Sequence, residues 1–253
     1  MALFSNLFKK DEAHALGVDI GSSAIKVVQI KKKNGQAILE TYGELALGPY
    51  AGRTVGQSVV LPPEKIAGAL TDLMNEKEVN ITTKKCGLSI PFASSLMSDI
   101  EMPDVGPKQL VTMVPLEARK YIPVPISEVM LDWSIIPKSE VQQEVTSEGT
   151  PSTTPGKIDV LIVAIHNDTI SRYQNIVSQA GLNASFFEIE IFSTMRSVLE
   201  ETLRPVLVID MGAASTKLYI VERGIIRASH TINRGSQDIT TTLPQPTYAK
   251  PIQ

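Results

Sequence analysis

The sequence predicts an α/β protein that contains an internal duplication. Its 253 residues are 43% hydrophobic and 20% charged, a composition that supplies a sizeable core and excludes a mostly disordered protein. Segments with the period of strands and segments with the period of helices follow one another in mixed order. The most informative observation is that a short motif near residue 19 recurs near residue 210.

The first block, residues 1–80, is predicted to form one domain. Strands are predicted at Leu16–Ile20, Ile25–Lys32 and Ala37–Leu45. Asn34-Gly35, between the last two strands, is the favoured pair for a tight hairpin turn. Pro62-Pro63 then begins a helix whose apolar residues recur at helical spacing.

The middle block, residues 81–183, is predicted to form a second, α+β domain. Alternating apolar residues predict half-buried strands at Cys86–Ile90 and Val129–Ile135, with a helix between them. The wholly apolar run Val160–Ile165 predicts a central strand buried on both faces, and a helix follows it. Residues 138–157, rich in Ser, Thr, Glu, Gly and Pro, predict a loop.

The last block, residues 184–238, is predicted to hold a helix that carries Phe192, Met195, Leu199 and Leu203, followed by a strand at Val206–Asp210. Residues 239–253 have no periodicity, and three of the last ten residues are proline. We therefore expect a disordered tail from residue 239 onward.

The duplication is the feature that points to chemistry. Gly17-Val-Asp-Ile-Gly-Ser-Ser-Ala-Ile-Lys26 matches Val208-Ile-Asp-Met-Gly-Ala-Ala-Ser-Thr-Lys217 in Asp, Gly and Lys at the same spacing. Each copy lies between two predicted strands and then reaches a turn, at Asn34-Gly35 or at Arg223-Gly224. We name residues 19–26 the first clamp and residues 210–217 the second clamp.

Each clamp has the residue types that phosphate binding requires. The glycine lets backbone N–H groups come close to an anion, and small hydroxyl residues add donors. The aspartate is suited to hold a hydrated Mg²⁺ or to orient a water, and the lysine supplies a positive charge. A single Asp-x-Gly turn is common in ordinary hairpins, but two matched copies favour a pair of phosphate clamps.

Composition excludes several other classes of protein. A net charge of −3 argues against nucleic-acid binding, and the single cysteine, Cys86, excludes an internal disulfide and argues against a thiolate zinc site. Val160–Ile165 is far too short to span a membrane, and no signal peptide is recognisable. Leu3, Phe4, Leu7 and Phe8 suggest either a short amphipathic membrane contact or a frayed terminus.

The paired clamps resemble the two phosphate motifs of the actin, hexokinase and heat-shock-chaperone superfamily. Within it, the order of blocks resembles the PilM family of actin-like type IV pilus assembly proteins, and its relative FtsA. Leu7-Phe-Lys-Lys10, the first clamp and Phe187-Glu-Ile-Glu-Ile-Phe-Ser193 carry this resemblance, which covers residues 3 to about 240. It implies an actin-like (ribonuclease H-like) lobe with an inserted α+β subdomain, and a second lobe that is incomplete.

The resemblance also implies ATP and Mg²⁺ as cofactors and assigns roles to particular residues. Asp19 would face the metal, and Glu190 would lie near the attacking water, with Glu188 as its rival. The residues that would hold phosphate are Gly21, Ser22, Ser23 and Lys26 in the first clamp and Asp210, Gly212, Ser215 and Thr216 in the second.

The function implied by the resemblance is that of a cytoplasmic scaffold, peripheral at the inner membrane, for type IV pilus assembly. Its implied partners are the cytoplasmic N-terminal tail of a PilN-type inner-membrane protein and the pilus motor complex, which would provide the membrane association. ATP would set the conformation of the lobes, with at most weak hydrolysis. Two alternatives stay open, an FtsA-like cell-division protein and a small-molecule kinase of the same superfamily.

The end of the chain departs from the family pattern. Family members continue after the second clamp with a helix pair and a glycine-rich adenosine-binding turn, whereas Asn233–Thr240 resembles only the start of that continuation. We therefore expect a truncated chain with an incomplete nucleotide site.

Overall fold

A five-stranded sheet forms the base of the fold. The computed structural model describes residues 14–136, 156–199 and 204–243. The sheet has the order β3-β2-β1-β4-β8, with β1, β2 and β3 antiparallel and with β4 and β8 parallel to β1. Its strands are β1 (His14–Ile20), β2 (Ala24–Lys33), β3 (Gln36–Ala46), β4 (Lys85–Ile90) and β8 (Asn183–Ile189).

One face of this sheet is covered by two helices, α1 (Pro63–Asn75) and α3 (Asn167–Gln179). Leu16 and Val18 of β1 pack there against Leu70 of α1 and Ile176 of α3. Because side chains alternate along a strand, the other face of β1 carries Gly17 and Asp19. The candidate site therefore lies on the face opposite these two helices.

A second, three-stranded sheet is inserted between β4 and α3. Its strands β5 (Ser95–Pro103), β6 (Val129–Ile136) and β7 (Lys157–His166) are antiparallel with β7 in the centre, and α2 (Pro107–Ala118) covers one face. A short 3-10 turn, Phe92–Ser94, joins β4 to β5. We call residues 95–166 the insert.

The second clamp lies in a third sheet, in which β9 (Val206–Met211), β10 (Thr216–Glu222) and β11 (Ile225–Ile232) form an antiparallel meander. The remaining helices are α4 (Glu190–Val198), directly after β8, and α5 (Ser236–Thr242). A buried cluster joins this meander to the rest of the fold, since Tyr219 and Val221 pack with Ile90 of β4, Ile191 of α4 and Ile165 of the insert.

Several predictions from the sequence are confirmed. The turn residues Asn34-Gly35 and Arg223-Gly224 all have the positive φ angles that tight hairpin turns require. The strand Val160–Ile165 is the central strand of its sheet, as β7. The motif at Asp19 and its copy at Asp210 both lie in strand–turn–strand units.

Other predictions were wrong. Cys86–Ile90 is not part of the middle sheet but lies beside β1 in the first sheet, and Cys86, Gly87, Leu88 and Ile90 are all buried rather than half-buried. An alternating pattern predicts a strand but not its neighbour. Strands β5 and β8 were not predicted, and the expected disordered tail begins too early because α5 extends to Thr242.

Some predictions fall outside the described residues. These are the amphipathic contact at Leu3–Phe8, most of the loop at residues 138–157, the end of the predicted helix at Leu203, and the tail from residue 244 onward. None of the helices within the described ranges is long and apolar enough to cross a membrane.

Candidate functional site

The two clamps have the same strand register. Asp19 lies directly opposite Lys26 across β1 and β2, and Asp210 lies directly opposite Lys217 across β9 and β10. Both turns close with the same backbone hydrogen bond: the Gly21 N–H donates to the Ala24 carbonyl at 3.0 Å, and the Gly212 N–H donates to the Ser215 carbonyl at 2.9 Å. The duplication in sequence is therefore a duplication in geometry.

Glycine is favoured at both turns for a steric reason. A Cβ atom on Gly21 would lie 3.1 Å from the Ala24 carbonyl oxygen, and one on Gly212 would lie 3.2 Å from the Ser215 carbonyl oxygen. Both distances are tighter than ordinary contacts, and the neighbour in each case is backbone. The glycines thus permit the two-residue turns that expose backbone N–H groups.

Ser22 and Ser23 form the first turn and anchor it through their carbonyl groups. The Ser22 carbonyl accepts from the Val59 N–H at 2.9 Å, and the Ser23 carbonyl accepts from the Leu47 N–H at 2.8 Å. Among the residues that the structure describes, the N–H groups of the two serines have no hydrogen-bond partner. Unpartnered turn N–H groups of this kind are candidate donors to an anion.

Asp19 lies at the centre of the site. It opens onto a cavity of about 330 Å³ whose lining includes Lys26, Ser89 and Glu188. Burial raises the pKa of Asp19, a hydrogen bond with Ser89 opposes that shift, and the nearby Glu190 carboxylate adds to it. A half-buried carboxylate that is costly to ionise gains from a cation placed beside it.

The floor of this cavity is made by two glycines on neighbouring central strands. Gly17 of β1 pairs with Gly87 of β4, and Phe186 of β8 lies over Gly87. A Cβ atom on Gly87 would come within 1.9 Å of the Phe186 ring. The aromatic ring thus takes the place of a side chain at Gly87, and Phe186 forms one wall of the cavity.

The lysine of the second clamp is already engaged in two ion pairs. Lys217 Nζ lies 2.8 Å from Glu190 Oε2 and 3.3 Å from Asp210 Oδ2. Burial favours the neutral amine, but the two carboxylates outweigh it and raise the pKa of Lys217. Thr216 is buried and its hydroxyl donates to the Arg234 carbonyl at 2.8 Å, so in this structure it braces the turn.

A chain of hydrogen bonds joins the two turns. The Ser58 N–H, beside Val59 on the first turn, donates to the side chain of Gln237 at 2.7 Å. The Gln237 N–H in turn donates to the Ala213 carbonyl of the second turn at 3.1 Å. The first residues of α5 therefore connect the two clamps, although 179 residues separate Ser58 from Gln237.

The structure brings several of the predicted site residues together. Asp19, Lys26 and Glu190 converge on one region, and Glu190 is the first residue of α4. Glu188, its rival, lines the cavity but is engaged by Arg196. The roles assigned to these residues toward ATP remain predictions.

Two groups at the site were missed by sequence reasoning. Ser89 reaches the site because β4 lies beside β1. The Phe92 N–H reaches it through the turn after β4, and it donates to Glu190 Oε1 at 2.6 Å. Neither leaves a signal in the sequence. Lys217 was recognised as the copy of Lys26, but its ion pairs with Glu190 and Asp210 were not predicted.

The residues present fit the phosphate end of a magnesium nucleotide. The described residues contain no group of three or more His, Cys, Asp or Glu side chains that could hold a metal alone. Mg²⁺ commonly binds through one or two carboxylates together with phosphate oxygens and waters. Asp19 would supply one such carboxylate, and the adjacent turn N–H groups and Lys26 would bind the phosphate oxygens that complete the coordination.

Comparison with known proteins finds a matching family and similar solved structures. A family model described as type IV pilus assembly protein PilM matches residues 17–245. A chain in a solved PilM–PilN type IV pilus biogenesis complex is 23% identical with a TM-score of 0.69, over 90% of this chain and 63% of that chain. The present chain thus spans less than two thirds of that relative's length.

Two other solved structures are more distant. The cytoplasmic domain of EpsL, an inner-membrane component of the type II secretion system of Vibrio cholerae, is 9% identical with a TM-score of 0.49, over 87% of this chain and 71% of that chain. The ethanolamine utilization protein EutJ from Carboxydothermus hydrogenoformans is 13% identical with a TM-score of 0.47, over 93% and 57%. The predicted fold class, an actin-like α/β lobe with an inserted α+β subdomain, is confirmed.

Proposed function

This chain belongs to the PilM family of type IV pilus assembly proteins, and from that premise we propose that it is a cytoplasmic scaffold, peripheral at the inner membrane. Its two clamps bind the phosphates of Mg-ATP, and the bound nucleotide sets the relation between the clamps. It docks the cytoplasmic N-terminal tail of a PilN-type membrane protein, and through that partner and the pilus motor complex it associates with the membrane.

The observation that carries the phosphate proposal is the matched register of the clamps. Each has an Asp–Lys pair directly across two strands and a glycine turn of the same hydrogen-bonding pattern. Gln237 links the two turns, and in this proposal both turns face the same polyphosphate. Hydrogen bonds to a charged group contribute about 1.5–3 kcal/mol each, so a few turn N–H groups suffice for appreciable affinity.

The residues of the first clamp have separate tasks in this proposal. Asp19 would hold Mg²⁺, Lys26 would supply positive charge to a phosphate oxygen, and the N–H groups of Ser22 and Ser23 would donate to the phosphates. Magnesium would neutralise phosphate charge and orient the polyphosphate. Both oxygens of Glu190 already have partners, which supports a nucleotide-dependent scaffold with at most weak hydrolysis.

The docking part of the proposal rests on family membership and on the solved relative, which is a chain of a PilM–PilN complex. A direct test is fluorescence anisotropy with a labelled peptide that copies the cytoplasmic N-terminal tail of a PilN-type protein from the same genome. We expect saturable binding of this peptide and none of a scrambled peptide with the same composition. Equal binding of both, or of neither, would contradict docking by this chain.

A further inference from the structure

Glu190 is bonded to two parts of the protein that are distant in sequence. Its Oε1 accepts the Phe92 N–H at 2.6 Å, and its Oε2 pairs with Lys217 Nζ at 2.8 Å. Phe92 lies in the turn through which the chain leaves β4 for the insert, and Lys217 lies in the second clamp. One carboxylate at the start of α4 therefore holds the first sheet, the approach to the insert and the second clamp together.

The two duplicated lysines are in different environments. The side chain of Lys217 is only 15% exposed and contacts two carboxylates. Lys26 is exposed and, within the part of the chain that the structure describes, forms no ion pair within 4 Å. A lysine whose charge is already matched by Glu190 and Asp210 is less available to a phosphate than one that borders an open cavity.

We infer that Lys217 is a positioning residue: by holding Glu190 against the Phe92 N–H, it fixes the second clamp and the approach to the insert relative to the first sheet. This inference goes beyond the proposed function, because it concerns contacts within the chain and holds whether or not nucleotide binds. The functional consequence is that a change at the second clamp is transmitted through Glu190 to the segment that leads into the insert.

The link from Lys217 through Glu190 to Phe92 can be tested at a single amide. Lys217 does not bond to Phe92, and among the described residues the polar path between them runs through Glu190. If Glu190 loses the ion pair, its carboxylate is free to turn toward solvent, and the Phe92 N–H loses its acceptor. The exchange rate of this one amide hydrogen therefore reports the position of Glu190.

The experiment is hydrogen–deuterium exchange at residue resolution by NMR on the full chain, with Leu88 of β4 as the internal reference for global opening. We expect Lys217→Met to speed exchange of the Phe92 amide at least tenfold relative to Leu88. Lys217→Arg, which can still pair with both carboxylates, should restore the slow rate. Arg227→Met, which removes the exposed ion pair with Glu222 in the same sheet, should leave Phe92 unchanged.

A double-mutant cycle distinguishes the link from Lys217 through Glu190 to Phe92 from a general loss of protein stability. Because Glu190→Gln removes the same ion pair, adding it to Lys217→Met should change Phe92 exchange by less than twofold beyond Lys217→Met alone. The inference is overturned if Lys217→Met leaves Phe92 exchange within twofold of the wild type, or if Phe92 and Leu88 speed up equally. Because these readouts need no nucleotide, a failure of the phosphate proposal would not affect them.

Discussion

Substitution of Gly235 by alanine tests whether α5 is seated on the second clamp. Gly235 precedes α5 with a φ of −129°, which any residue adopts, so the effect of a side chain is purely steric. Its Cβ would lie 2.3 Å from the Ala213 carbonyl oxygen and 2.5 Å from the Gly212 carbonyl oxygen. Both atoms belong to the backbone of the second turn. The clash therefore cannot be relieved by a side chain that turns aside, and α5 itself must move away.

The magnitude follows from the hydrogen bonds that this movement breaks. Restoring ordinary contact requires a shift of about 1 Å. The Ser236 N–H donates to the Gly212 carbonyl at 2.9 Å and the Gln237 N–H to the Ala213 carbonyl at 3.1 Å, so both bonds are lost. At about 0.5–1.5 kcal/mol each, their loss lowers the free energy of unfolding by about 1–3 kcal/mol, the usual range for overpacking.

Chemical denaturation measures this loss, and amide exchange at Ser236 and Gln237 locates it. The matched control is Gly68→Ala in α1, because a Cβ there meets no atom within 4 Å. That control should stabilise the chain by up to about 1 kcal/mol, since alanine favours a helix over glycine. Wild-type stability in Gly235→Ala, with both amides still protected, would refute the seating of α5 on the second turn.

Two further predictions concern pH. Burial raises the pKa of Asp19 in the folded chain, so its ionisation opposes folding above its unfolded pKa of 3.8. Asp19→Asn should therefore raise the denaturant concentration at the unfolding midpoint at pH 7. This gain should disappear below about pH 4, where Asp19 is protonated in both states. A midpoint gain that persists at pH 3 would contradict this cause. Hydrogen bonds from His14 and Gln29 lower the pKa of Glu40 from 4.5 to about 2, so its ionisation favours folding above pH 4.5 and that contribution is lost as pH falls toward 2. Glu40→Gln should accordingly destabilise the chain at pH 7 and match the wild type near pH 2, and equal stability at pH 7 would exclude this role.

The features that sequence predicted well are local ones. The Asn34-Gly35 turn needs positive φ at two successive residues, and few residue pairs accept that conformation, so the pair itself is diagnostic. The equal spacing of aspartate, glycine and lysine fixes the cross-strand pairing in both clamps, because a two-residue turn sets the register. The candidate site was therefore recognisable from the motif that occurs in both clamps.

The features that sequence missed depend on contacts between distant segments. The strand at Cys86–Ile90 pairs with β1, about 70 residues earlier, and nothing in its own pattern indicates that neighbour. Strand β8 was not predicted because it leads directly into α4, and the sequence was divided near Phe187 into a new block whose first predicted element was the helix. The ion pairs of Lys217 were likewise beyond prediction, since they depend on how β10 meets the start of α4.

The central claim is that the two clamps hold a polyphosphate, and calorimetric titration with magnesium tripolyphosphate tests it most directly. This probe carries the phosphates that the clamps would contact and needs no adenosine recognition. The account predicts saturable binding that Asp19→Ala and Lys26→Ala each weaken about tenfold or more, which corresponds to about 1.4 kcal/mol or more. Lys108→Ala, which removes an exposed lysine of α2, should bind as the wild type does. No binding by the wild-type chain, or equal affinity in all four proteins, would contradict the assignment of the clamps.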